Sequence, residues 1–205
     1  MAYSVTTLPK RGQTLLTGTG RTLGTSGTAP AGTEKDFPYK TKPTTPGARM
    51  PTQQAMTTCI LVRNRSGIAL LPKRIVKWKS GSEGKEVDGY CAVDFETVAG
   101  VVDEHLPAAG VPANDLFWIA VKGPSLVLTD IAASAANVHA VGRPFTALTA
   151  ATSQATTAGR AQAFAVTTTV TSVMSIAFNK IGRAMSAKTT NETNADLLVN
   201  LDIWA

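Results

Sequence analysis

The sequence predicts a mostly β protein that carries a long extended N-terminal arm. Three observations lead there. Thr occurs 29 times in 205 residues, and β-branched side chains favour strands over helices. From Thr57 onward, short apolar or alternating runs are separated by Gly-, Asn- and Ser-rich turn signals. Before that point neither the helical nor the strand period persists. With 43% apolar and 17% charged residues, the chain as a whole is not of disordered type.

Residues 1–56 form the expected arm. Met1–Ala55 holds 13 Thr, 7 Gly and 6 Pro, types that favour extended or turned backbone. Its apolar anchors are too sparse to offset the entropy of ordering it alone. The composition fits a free leader or an arm that orders against a partner, and the arm is the reading adopted. Tyr3, Leu15, Leu16, Phe37 and Tyr39 would fill pockets on that partner. Lys10, Arg11, Arg21, Lys40 and Lys42 would meet acidic surface, the arm carrying 7 basic and 2 acidic residues.

Residues 57–205 form the expected β domain. Cys59–Val62 reads as a buried strand stopped by Asn64–Arg65–Ser66–Gly67. Ile75–Lys79 alternates, with Val76 and Trp78 opposite Lys77 and Lys79. Ser80–Lys85 reads as a loop. Tyr90–Phe95 and Thr97–Asp103 read as strands, with Gly100 as a bulge or a point of close approach. Leu116–Val121 is apolar on both faces, as a central core strand is. Lys122–Gly123–Pro124 is expected to turn the chain into a hairpin returning through Leu126–Leu128. Ile131–Ala140 fits a short helix or a crossover of small residues, and 149–162 a flexible loop or insertion. Val166–Phe178 alternates as a long strand or hairpin pair. Leu197, Val199, Leu201 and Ile203 face one way in a closing strand docked in the sheet. Val141–Ala147 and Ile181–Ala187 share a weak similarity that suits two strand starts.

Charge divides the chain. Met1–Lys79 holds 13 basic and 2 acidic residues, and Ser80–Asp130 holds 2 basic and 9 acidic. The sequence pI near 9.5 therefore averages two opposite segments, which suits contacts between neighbouring subunits as well as nucleic acid. No apolar run approaches the roughly 18 residues of a membrane span, so no membrane partner is expected. The first residues also lack the apolar stretch of a signal peptide.

Chemistry-bearing residues are few. His105 and His139 are the only histidines, and no G-x-S-x-G elbow accompanies them, so no enzyme activity is expected. Cys59, Cys91, His105 and His139 match no compact metal spacing, and neither a metal nor a cofactor is expected. Two buried thiols are preferred over a Cys59–Cys91 disulfide. Gly18–Gly24 and Gly81–Glu86 fail the dinucleotide and phosphate-loop patterns. The sequons at Asn64 and Asn191 carry meaning only in a secreted chain. Asp94, Glu96, Asp103 and Glu104 read as a solvated or partner-facing rim. Arg63, Arg65, Lys73, Arg74, Lys77 and Lys79 surround Trp78 and constitute the alternative function, a nucleic-acid-binding β module.

Five stretches together resemble the capsid decoration, or cement, proteins of tailed bacteriophages. They are Asn64–Leu70, Val98–Asp103, Asp115–Pro124, Asn179–Met185 and the Leu197–Leu201 run. The resemblance covers about Thr57–Ala205. The chain departs from the family's pattern in its arm and in an insertion-like stretch over Thr146–Thr169. The resemblance implies a small antiparallel β-barrel, the β-tulip, on the exterior of a DNA-filled head. It implies a homo-oligomer, with a trimer favoured over a dimer, that bridges adjacent major capsid proteins. Another phage structural role, in the tail or the capsid shell, is the neighbouring alternative.

Overall fold

The computed structural model describes residues 11–14, 31–39, 55–91, 97–129, 141–147, 158–163, 180–186 and 196–203. These residues form ten strands and no helix, so the protein is mostly β. The strands are β1 (Glu34–Pro38), β2 (Met56–Asn64), β3 (Ile75–Trp78), β4 (Glu86–Tyr90) and β5 (Val98–Val102), followed by β6 (Leu116–Leu128), β7 (Pro144–Ala147), β8 (Ala161–Ala163), β9 (Lys180–Ala184) and β10 (Asp196–Asp202). They join in one sheet of order β1-β2-β4-β3-β5-β6-β10-β9-β7-β8. An extra β2–β6 pairing makes a ring of β2, β4, β3, β5 and β6. All pairings between these strands are antiparallel except β2–β4, which is parallel and departs from the all-antiparallel expectation.

Two cores explain why β6 is apolar on both faces. Leu116, Trp118 and Ala120 enter one cluster with β10, β9, Phe145 and Ala161. Phe117, Ile119 and Val121 enter a second, which takes its strand residues from the ring alone. Leu70, Leu106 and Val111, from connecting segments, also pack there. The same alternation sends Cys59 and Leu61 to the first core and Ile60 and Val62 to the second. A strand between two apolar layers has no solvent face, which its sequence reports as an unbroken apolar run.

The expected hairpin at Lys122–Gly123–Pro124 does not form. β6 runs straight through it and changes partners there: Arg63–Thr58 of β2 face Leu116–Lys122, and Asp202–Asp196 of β10 face Lys122–Leu128. Gly123 has φ of +87°, and a Cβ there would run into the Met56 carbonyl oxygen. The Gly-Pro pair thus lies within a continuous strand, where its partner changes, instead of reversing it. Gly100 does mark a close approach, since its Cβ would lie 2.9 Å from the Ala120 oxygen.

Other elements shift modestly. The strand expected from Tyr90 ends there, having started at Glu86; residues 92–96 lie outside the described set. Ile131–Ala140 and Val166–Phe178 lie outside it as well. The expected loop over 149–162 is described only from Ala158, and that end is built into the body. Gly159 donates to the Cys91 oxygen at 3.1 Å and accepts from the Ile75 N–H at 2.6 Å, while β8 pairs with β7. The two similar stretches are indeed strand starts, and they pair with each other, Pro144 opposite Arg183. The closing strand docks as expected, between β6 and β9, with Leu197, Val199, Leu201 and Ile203 buried.

Candidate functional site

Of the expected contact residues, Arg11, Phe37 and Tyr39 are described; Tyr3, Lys10, Leu15, Leu16, Arg21, Lys40 and Lys42 lie outside the described residues. The three that are seen dock on their own body. Over residues 11–12 and 31–39 the contacts fall within the chain, where the expectation had placed a partner. β1 pairs with β2 over Glu34↔Ile60 to Pro38↔Met56, and the Tyr39 N–H donates to the Ala55 oxygen at 2.8 Å. Half-buried Phe37 meets Trp118 edge-on, with ring centroids 5.1 Å apart. A lone apolar residue in Glu-Lys-Asp-Phe-Pro therefore completes the first core from outside.

The second anchor is ionic. Chain direction changes after β5, where the Asp103 carboxylate accepts from the His105 N–H at 3.3 Å. Its Oδ1 lies 3.0 Å from both Nε and Nη2 of Arg11, and its Oδ2 accepts from the Gly12 N–H at 2.6 Å. Glu104 accepts from the Leu126 N–H at 2.6 Å and lies 3.8 Å from Arg11 and 3.4 Å from His105. The Asp103 and Glu104 side chains are 1% and 4% exposed, so they are a buried receptor for the arm and not a solvated rim. Asp94 and Glu96 lie outside the described residues.

Burial governs the neighbouring acids. The Tyr39 hydroxyl is pushed up to about 12 by burial, reinforced by Glu104 and opposed by Arg11. The Cys59 thiol is likewise pushed up to about 12, chiefly by burial. Cys59 and Cys91 are both buried and not joined in a disulfide, matching the two-thiol expectation. They sit in the first core while His105 is on the surface, so those residues do not converge as metal ligands; His139 lies outside the described residues.

The basic cluster does not surround an exposed aromatic. Trp78 is buried in the second core and offers no face to a base. Arg65 bonds Glu86 at 3.1 Å and Asn114 at 2.7 Å, while Lys79 approaches Glu86 at 3.7 Å and Lys73 pairs with Asp196. Arg74 is buried over the Tyr90 ring and donates to the Ala158 oxygen at 3.0 Å. These cations are largely committed within the chain. Asn64, a sequon residue, is fully buried and bonds Ile68, Val111 and Pro112 carbonyls, so it staples the β2 turn.

Sequence reasoning missed an open polar groove of about 460 Å³. It crosses β1, β2, β6, β10 and β9, and its lining includes Asp36, Thr58, Lys122, Arg183, Asn200 and Asp202. Five strands distant in sequence supply it, so no local motif announces it.

No family model matches the chain, and no curated protein matches it in sequence.

Proposed function

We propose that this chain is a structural virion protein that decorates the exterior of a tailed-bacteriophage capsid and bridges adjacent major capsid proteins. One observation carries the reading. The stretches that resemble decoration proteins fall on neighbouring parts of one framework: the turn after β2, then β5, β6, β9 and β10, with β6 pairing to β2, β5 and β10 and β10 to β9. A resemblance scattered by chance along the sequence has no reason to assemble contiguously. The ring of strands is the part of the molecule to which the β-tulip description would apply.

The physical logic is mass action. Internal DNA pressure strains a capsid, and a protein that binds only the expanded lattice stabilises that lattice by its binding free energy. Symmetric copies, with a trimer favoured, add avidity. Because Arg11, Phe37 and Tyr39 hold the body together, attachment falls to other arm residues and to exposed strand surface. Cosedimentation with expanded and unexpanded phage shells tests the reading. Saturable binding to expanded shells alone is expected; equal binding to both, or none to either, overturns it.

A further inference from the structure

The groove crossing the sheet is built from one row of facing residues. Asp36 lies opposite Thr58, Thr58 opposite Lys122, and Lys122 opposite Asp202. Two strand positions along, Asn200 lies opposite Arg183. Since directly opposed residues share a face of the sheet, this row forms one continuous lining across the strands.

Its charges are unequally committed. Asp36 accepts from the Thr58 hydroxyl at 2.6 Å, and Asp202 lies 3.7 Å from the Lys180 ammonium. Lys122 is exposed and has no ion-pair partner among the described residues. Arg183 is exposed and, among the described residues, gives one Nη1 bond, to the Gly142 oxygen at 3.2 Å, leaving other donors of its fork unused there. Met56, 47% exposed, stands on the rim. Among the described residues the lining thus holds three cations and two carboxylates, with Lys180 given to Asp202, Asp36 bonded to Thr58, and Lys122 and Arg183 without an ion-pair partner.

We infer that this groove docks an extended acidic peptide segment of a partner chain. Its carboxylates would meet Lys122 and Arg183, with the Asn200 amide between them and an apolar side chain against Met56. A polyanion is the poorer fit. Evenly spaced phosphates cannot avoid Asp36 and Asp202, whereas a peptide can place amide N–H groups or a basic side chain beside them. The volume suits a short segment, and the polar lining differs from the apolar walls of small-molecule pockets. The inference stands on the lining residues and does not require the partner to be a capsid protein.

The test is selection of a random library of about twelve-residue peptides on the full chain, followed by affinity measurement on wild type and on a Lys122→Glu/Arg183→Glu variant. Both positions are exposed, and circular dichroism and thermal melting of the variant check its fold. Recovered peptides are expected to be rich in Asp and Glu. Their dissociation constants should rise about tenfold or more in the variant. A milder Lys122→Gln/Arg183→Gln variant covers the case in which the charge reversal fails to fold: weakened acidic-peptide binding is expected there too. No enrichment, binders indifferent to both charge changes, or a thymidine oligonucleotide binding as tightly as the peptides would each overturn the inference.

Discussion

Phe37→Ala removes the arm's principal apolar anchor. Full burial of a Phe side chain contributes about 1.5–3 kcal/mol, so a half-buried one contributes about 1 kcal/mol. The edge-on contact with Trp118 at 5.1 Å adds about 0.5–1.5 kcal/mol. Together the loss is about 2 kcal/mol, a large fraction of a typical domain's stability of about 5–15 kcal/mol. In urea, with a slope of about 2 kcal/mol/M, the midpoint should fall by about 1 M. Trp fluorescence is the assay, because the substitution also uncovers Trp118 and shifts its emission to the red. Phe37→Leu should recover much of the loss. A midpoint change below about 0.2 M with unchanged emission would mean that the arm is not packed on Trp118, and the reasoning fails.

Asp103→Asn removes the nearer of the two buried carboxylates beside Arg11 and should destabilise the chain by about 3 kcal/mol, read by chemical denaturation. Gly123→Ala should lower Tm by far more than Gly67→Ala. A Cβ at Gly123 meets the Met56 carbonyl, whereas at Gly67 it meets open space and only the φ of +75° costs about 1–2 kcal/mol. Tyr39, ordinarily near 10, holds its proton to about 12 in the folded chain. The folded state therefore binds more protons than the unfolded one between those values, and stability falls as pH rises from about 10 to about 12. Tm measured against pH should show that loss, and Tyr39→Phe should reduce it, with the buried Cys59 thiol contributing to the remainder; an unchanged slope would remove Tyr39 as a cause.

Local patterns carried the framework. β2, β3, β5 and the first half of β6 are legible because their side chains alternate between two cores or run apolar through both. Gly100 is legible because a glycine inside a β pattern signals a close neighbour. What the local pattern could not carry was partnership. Gly123–Pro124 has the chemistry of a turn, and only the switch from β2 to β10 shows that the strand continues through it. Asp103 and Glu104 look solvated beside other acids, yet their cation comes from Arg11, ninety-odd positions earlier. Phe37 is one apolar residue in a polar run, and its value depends on a Trp118 ring with space above it. The cations near Trp78 read as a patch along the chain, while Glu86, Asp196 and Asn114 meet them in space. The groove has no sequence signature at all, being a row across five strands.

The account depends most on residues 31–39 being part of the sheet in the isolated chain. Amide hydrogen exchange on the full-length protein alone measures this. Because Tyr39 donates to Ala55, strand alternation also points the Phe37 and Lys35 N–H groups at β2 and those of Asp36 and Glu34 away. The account predicts slow exchange at Lys35, Phe37 and Tyr39 and fast exchange at Glu34 and Asp36. Uniform exchange across the segment at the rate of a free peptide would contradict it.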